Sequence, residues 1–576
     1  MKGPSRSPSP DGTPPRGDAS TSAGALSRRA TLALVAALAL LFAVLLLPAH
    51  PRDLVAETFL RLPLELPIAV LALLVLRGRA AHAFRLLVVL AVGTLLLLRL
   101  ADLGSYLAFG RPFSPMVELH LLGDGWNLAS QSVGRLEAGL GVALALAAFL
   151  LVGTLLYRGL GGLGRLRGTP RRATATLAAL ALAGGLSALL VARLDGAAED
   201  GAAARSPRVQ ADLGPDIVDR VQRMRRSIAD QTAFVAELAD DPLEGGPPPA
   251  FEALAGRDVA VVFVESYGRS VVDGERFRDS ARERLADVEA RIGRAGLHAK
   301  SAWLTSPIRG GRSWLAHATF NSGLVIDSQA RFDRLVASPR VSLNRLFGRA
   351  GWRTAGLMPA IRLAWPEGAW YGFDDILDFE RLGYAGEPFG WVTMPDQYTL
   401  SAFERLVRRP EGADARPVMA EIALISSHAP WTPLSRTVPW ETVGDGAIFD
   451  GSHRFGGTPA EVWSEREQVR EHYALSIDYS LDVLGGYLER HGEGALFVIL
   501  GDHQPASIVN GWDATADVPV HVVSDDPALL ARLPDTLWSD GMLPADDLPS
   551  QPMASMRETL ARRFSATSAP TATVRP

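Results

Sequence analysis

Apolar residues along the chain fall first into long unbroken runs and later into short ones. The long runs occupy roughly 30–48, 62–76, 86–101, 138–157 and 174–194, each near the ~20 residues a helix needs to cross a ~30 Å hydrocarbon core. The first run alone reads as a signal peptide, but four similar runs after it predict a five-helix transmembrane domain over 28–195. Residues 1–27, rich in Ser, Pro, Gly and Arg, predict a disordered tail. Arg28 and Arg29, then Arg77, Arg79 and Arg85, then Arg158, Arg165, Arg167, Arg171 and Arg172 flank alternate ends of the runs. By the excess of cationic residues on the cytoplasmic side, the N-terminus is inside, and five crossings put everything after about residue 195 outside. The 103–136 loop is too polar to span and reads as an extracytoplasmic interfacial segment, with Trp126 and Tyr106 as anchors. Its His120 and Asp124 read as solvated loop residues.

Beyond 196 the pattern changes. Ile217, Val221, Met224, Ile228 and Phe234 recur at helical spacing against a basic face, which predicts an amphipathic helix on the lipid surface within a linker over 196–250. The run Gly245, Gly246, Pro247, Pro248, Pro249 closes that linker, and a soluble domain over 251–565 follows, with a flexible tail at 566–576. In the soluble domain, short β-branched runs alternate with helical patterns, the signature of an α/β fold around a mainly parallel central sheet.

Charged residues still make up 21% of a chain that is 48% hydrophobic, which suits a membrane half joined to a soluble half. The formal net charge of −5 is small for 576 residues, and no basic aromatic patch tracks a phosphate backbone, so nucleic acid is not expected as a partner. With no cysteine, the chain has no disulfide, thiolate metal site, cysteine nucleophile or cysteine-derived formylglycine.

Four apolar runs end in residues able to do chemistry. DVAVVFVES (258–266) carries Glu265 at its end, PVMAEIALISSH (417–428) ends in His428, ALFVILGDH (495–503) ends in Asp502 and His503, and RTAGLMPA (353–360) leads towards Trp365. Runs this apolar suit strands buried on both faces, and ligands in open α/β sheets bind beyond the carboxyl ends of such strands. A single carboxylate there is often just a helix cap; three strands bringing Glu, His and Asp-His to one rim suit a metal site. Ser313 follows Gly310, Gly311 and Arg312 and opens a helical run. It reads either as an N-cap or as a nucleophile activated by a metal, with Arg312 holding a phosphate oxygen. His317, one turn on, reads as a core residue.

The ordered set VESYG (264–268), GGRSWLAH (310–317), SSHAPW (426–431) and GDHQP (501–505) resembles the lipoteichoic acid synthase branch of the alkaline phosphatase superfamily, to which phosphoethanolamine transferases and sulfatases are related. The passage EHYALSIDYSLDVLGGYLERHGEGALFVILGDHQP (471–505) is the most specific part, and the likeness spans about 255–525 together with the five-span layout. The resemblance implies one divalent cation (Mn²⁺, Zn²⁺ or Mg²⁺) held by Glu265, Ser313, Asp502 and His503, with Ser313 as nucleophile. It likewise makes His428 the substrate-binding histidine and Trp365 the active-site tryptophan. The chain departs from that pattern in places. The nucleophile is usually Thr, and Pro366 and Glu367 stand where lipoteichoic acid synthases carry an Arg that contacts phosphoglycerol. Thr305, Pro307 and Arg309 fall in the spacing of the sulfatase signature, but Thr cannot become formylglycine, so Thr305 is the second choice for nucleophile.

The expected protein is a multi-pass enzyme of the inner (cytoplasmic) membrane whose extracytoplasmic domain, on the periplasmic side, moves a phospho-head-group from a phospholipid to an envelope glycan or lipid. A hydrolytic sulfatase or phosphodiesterase and a non-catalytic membrane protein are the alternatives.

Overall fold

The computed structural model describes residues 28–60, 62–109, 111–114, 126, 130, 134–166, 209–210, 213–244, 247–390, 392–409, 416–452 and 455–565. They form two compact units, one from Met1–Pro48, Arg52–Arg99 and Leu140–Asp219, the other from Ala49–Pro51, Leu100–Gly139 and Arg220–Pro576.

The first unit is built on α1 (Arg28–Leu46), α2 (Glu65–Val75), most of α3 (Gly78–Phe109) and most of α4 (Arg135–Leu160). Leu34, Leu41, Val44, Val70, Val92 and Leu156 form its core. Helices α1, α3 and α4 are long and apolar enough to cross a membrane. The second apolar run of the sequence yields only the 11 residues of α2, about 16 Å of helix at ~1.5 Å per residue, roughly half a hydrocarbon core. The fifth expected span, 174–194, lies outside the described residues, as do His120 and Asp124.

The amphipathic pattern becomes α5 (Leu213–Ala239), which belongs to the second unit from Arg220 onwards. From Arg220 onwards this helix is pinned by Arg331, which donates to Asp230 and to Glu237 Oε2 (3.0 Å) and lies 4.6 Å over the buried Phe234 ring. Ile228 and Val235 are left exposed.

The soluble elements used below are β1 (Asp258–Val264), α6 (Arg278–Arg294), β2 (His298–Thr305), α7 (Ser313–Ser322), α8 (Leu343–Arg349), β3 (Arg353–Met358), β4 (Asp375–Asp378), α9 (Asp396–Phe403), β5 (Val418–Leu424), α10 (Arg466–His491), β6 (Ala495–Gly501), β7 (Asp517–Ser524), β8 (Ser539–Asp540), β9 (Gln551–Pro552) and α11 (Ser555–Phe564). The sheet is mixed, in the order β8-β2-β7-β6-β1-β5-β3-β4, with β9 on β2. Strands β6, β1, β5, β3 and β4 run parallel, whereas β7 joins β6 and β2 antiparallel and β8 joins β2 antiparallel. Side chains alternate across a strand. Val262 and Val264 therefore pack with α6 and α10 on one face, while Val261 and Phe263 pack with α7, α8 and α11 on the other. Both cores are continuous, and this is why the central strands read as unbroken apolar runs.

Asp241, just after α5, accepts a bidentate pair from Arg557 (2.8 and 2.8 Å) and lies 3.5 Å from Arg340, all three deeply buried. Asp241→Ala strands two buried cations, with an expected loss of about 3–5 kcal/mol, read as a lower melting temperature of the detergent-solubilised chain.

Candidate active site

Sheet register sets the site. Val264 closes β1 opposite Gly501 of β6 on one side and Leu424 of β5 on the other. Glu265 and Asp502 therefore leave neighbouring strands at the same level, with His503 next in the chain and His428 a short turn beyond β5. Gly501 is required at this point, because a Cβ there would lie 1.8 Å from the Tyr267 carbonyl oxygen. Short hydrogen bonds hold the strand ends together. The Ser427 hydroxyl donates to the Glu265 carbonyl (2.6 Å), the Ser306 hydroxyl donates to the Asp502 carbonyl (2.6 Å), and Asp502 Oδ1 accepts from the N–H groups of Ser266 (2.8 Å) and His503 (2.6 Å).

Ser313 arrives by a sharply turned loop. The Gly310 N–H donates to the Gln504 carbonyl (2.9 Å), so the loop runs beside the residue after His503. Gly310 (φ +74°), Gly311 (φ +137°) and Arg312 (φ +70°) then lie in left-handed or related conformations before α7 begins. Glycine adopts these freely, whereas Arg312 does so at a cost on the order of 1–3 kcal/mol, strain of the kind that collects at functional sites. The turn delivers the Ser313 hydroxyl to Glu265, donating to Oε2 at 2.9 Å and lying 3.3 Å from His503 Nε2.

His503 Nε2 is also 3.3 Å from Glu265 Oε1 and 3.6 Å from Asp502 Oδ2. Its Nδ1 faces the Gln504 carbonyl at 2.9 Å, which assigns the proton of the neutral ring to Nδ1 and leaves Nε2 as the electron-pair donor. Ligand atoms of Glu265, Asp502 and His503 all lie within 4.8 Å of one another. Two carboxylates and an imidazole nitrogen, buried and converging beside a hydroxyl, fit a divalent cation by the chemistry of the donor set.

Electrostatics carry the same sign. Burial disfavours the Glu265 anion, yet the nearby charges of His428 and His503 hold its carboxyl well below the usual carboxylate range. Burial, and then the Glu265 charge, push Asp502 up to about 7. His503 is raised to about 9 against burial, by the Asp502 and Glu265 carboxylates. Two carboxylates this close, kept from water, draw protons onto Asp502 and His503, and a divalent cation would take the place of those protons.

The remaining sequence candidates stand in different relations to this centre. Arg312 is buried directly before Ser313. His428 acts on Glu265 through its charge, and its Nδ1 lies 2.5 Å from the Ala429 carbonyl. Trp365 is half-buried against Tyr371, with ring centroids 5.3 Å apart, and no described contact brings it to Ser313 or Glu265. Thr305, exposed at the end of β2, donates its hydroxyl to Asp517 Oδ1 (2.9 Å), away from the acidic group. His317 packs in the core, stacked 3.8 Å over Phe263. Sequence reasoning passed over Ser266, whose hydroxyl donates to Glu265 Oε1 (3.0 Å), and Ser427. The only available signal was a serine next to each strand-end candidate.

Fold and side chains together define an α/β domain with a buried carboxylate, imidazole and hydroxyl centre suited to a divalent cation. No protein-family model and no curated protein matches the chain. Solved structures similar to it include the lipoteichoic acid synthase LtaP from Listeria monocytogenes, with a TM-score of 0.37 and 13% identity over 58% of this chain and 78% of that one. The C-terminal periplasmic domain of EptC from Escherichia coli gives 0.35 and 14% over 56% of this chain and 84% of that one. A 2-O GAG sulfatase gives 0.32 and 13% over 54% and 71%.

Proposed function

We propose that the chain is a membrane-anchored, divalent-cation-dependent transferase. It moves a phospho-head-group, of phosphoglycerol or phosphoethanolamine type, from a phospholipid to an envelope glycan or lipid through a covalent intermediate on Ser313. The observation that carries this reading is the Ser313 hydroxyl held 2.9 Å from Glu265 Oε2 and 3.3 Å from His503 Nε2 at a buried acidic centre. Glu265, Asp502, His503 and Ser313 would hold one cation, Mn²⁺, Zn²⁺ or Mg²⁺. Such an ion lowers the pKa of the serine hydroxyl and offsets charge on the phosphate oxygens. The serine gives up the proton it now donates to Glu265 as Oγ bonds to phosphorus. The bond from phosphorus to the lipid alcohol breaks, and that alcohol leaves carrying a proton. Arg312 and His428 stabilise charge on the non-bridging oxygens. The acceptor hydroxyl then displaces Ser313 Oγ, restoring the free serine.

The membrane arrangement belongs to the same reading. The catalytic domain, 251–565, stands on the periplasmic side of the inner membrane, tethered by the apolar helices of 28–195 and the 196–250 linker, close to donors confined to the bilayer surface. The test is acid-quenched incubation with vesicles of phosphatidylglycerol and phosphatidylethanolamine, followed by peptide mass spectrometry. A phospho-head-group adduct on Ser313 is expected. An adduct on Thr305, or turnover with no protein adduct, sinks the proposal.

A further inference from the structure

Behind the nucleophile helix lies a buried polar group that the proposed chemistry does not use. Glu421 sits in the middle of β5, between β1 and β3, and is 1% exposed. Apolar residues fill the neighbouring positions, and an apolar side chain there would complete the strand. An ionised carboxylate in such a place is costly unless its lone pairs are met. Here they are met from two helices. His317 Nδ1 lies 2.7 Å from Oε1, Asn321 Nδ2 donates to Oε2 (2.8 Å), and Asn344 Nδ2 of α8 donates to the same oxygen (3.2 Å). His317 and Asn321 are one turn apart on α7, the helix whose first residue is Ser313. The His317 ring also stacks 3.8 Å over Phe263, two residues before Glu265 on the neighbouring strand.

We infer that Glu421 is a positioning residue for Ser313. It fixes the rotation and height of α7 on the sheet, so that the helix presents its first hydroxyl to Glu265 and His503. Two bonds one turn apart stop the helix from turning about its axis, and the bond to Asn344 ties the carboxylate to a second helix. A shift of about 1 Å in a reacting atom costs on the order of 10²-fold in rate, so the required precision is high. The inference rests on the reading of Ser313 as nucleophile.

Two conservative variants separate positioning from bulk stability. Glu421→Asp keeps the charge but draws the acceptors back by about one bond length, ~1.5 Å. Glu421→Gln loses the charge but keeps the reach. Its oxygen accepts from Asn321 and Asn344, and its amide donates to a His317 ring that has moved its proton to the other nitrogen. With the Mn²⁺-loaded full chain in detergent and bis(p-nitrophenyl) phosphate as probe, the expected order of kcat is wild type, then Gln (down no more than about fivefold), then Asp (down about 30- to 100-fold). KM and bound manganese should stay within about twofold. A role in stability alone moves melting temperature and active fraction, and leaves kcat per manganese-loaded site unchanged.

The inference is overturned if Asp matches wild type in kcat per loaded site, or if Asp retains more activity than Gln. If Glu421→Asp does not fold, Asn321→Ala removes one tether, with a loss of about tenfold expected, and an unchanged kcat overturns the inference. Ser313→Ala, run alongside, keeps the two failures apart. Activity surviving in Ser313→Ala defeats the nucleophile reading, whereas a dead Ser313→Ala beside a fully active Glu421→Asp defeats only the positioning role.

Discussion

On the proposed mechanism, replacing Ser313 with Ala is expected to lower turnover by on the order of 10⁴-fold or more, since the covalent intermediate can then no longer form on this residue. The fold should survive, because the serine is only partly buried and its N–H still opens α7. Glu265, Asp502 and His503 remain in place, so a cation should still bind, more weakly for want of one donor. Thr305→Ala serves as the control. That hydroxyl donates to Asp517 at the end of β2, and its loss should leave turnover within about twofold, as for other surface changes. Steady-state rates of the two variants, with bound metal measured in each, decide the matter. Turnover within tenfold of wild type in Ser313→Ala, or equal losses in both, would move the nucleophile away from Ser313.

How far the site was visible in the sequence depends on the kind of contact involved. Glu265, His428, Asp502 and His503 stand at the ends of apolar runs because the parallel strands are buried on both faces, and burial on both faces leaves a continuous apolar signal. That signal says where each strand stops. It is silent on register, and the pairing of Val264 with Gly501 and Leu424 is what sets Glu265 beside Asp502. The approach of the 309–312 loop to Gln504 is a backbone contact between distant segments, so nothing in the side chains announces it. Glu421 was hidden for the opposite reason: one carboxylate inside an apolar run reads as an exception to a strand, and its partners on α7 and α8 are far away in sequence. The antiparallel edge of β2, β7 and β8 was likewise not read, since pairing direction leaves no mark on the apolar runs. In the membrane half, the apolar runs at 62–76 and 86–101 were read as similar spans. Their helices differ threefold in length, because α3 continues through Arg79, Arg99 and Asp102 while α2 stops before Arg77.

Binding of Mn²⁺ to the metal-free chain is expected to expel protons and to weaken steeply as pH falls. His503 is held at about 9 by the Asp502 and Glu265 carboxylates despite its burial. At pH 7 its Nε2 therefore carries a proton that must leave before the nitrogen can serve as a ligand. Asp502, pushed up to about 7 by burial and by the Glu265 charge, is about half protonated at the same pH. Glu265, held low, has no proton to give up. Both raised groups keep their protons to higher pH than free side chains would, so protons compete with the cation throughout the neutral range, and the competition grows on acidification. Between one and two protons should be released per cation near pH 7, and affinity should fall by about 10³-fold from pH 8 to pH 6. Calorimetric titration in two buffers of different ionisation enthalpy counts the protons directly. Asp502→Asn should bring the release down to about one and cut affinity at every pH, because one competing proton and one ligand charge are lost together. Manganese binding with no proton release and equal affinity at pH 6 and pH 8 would show that the cation sits somewhere other than on His503 and Asp502.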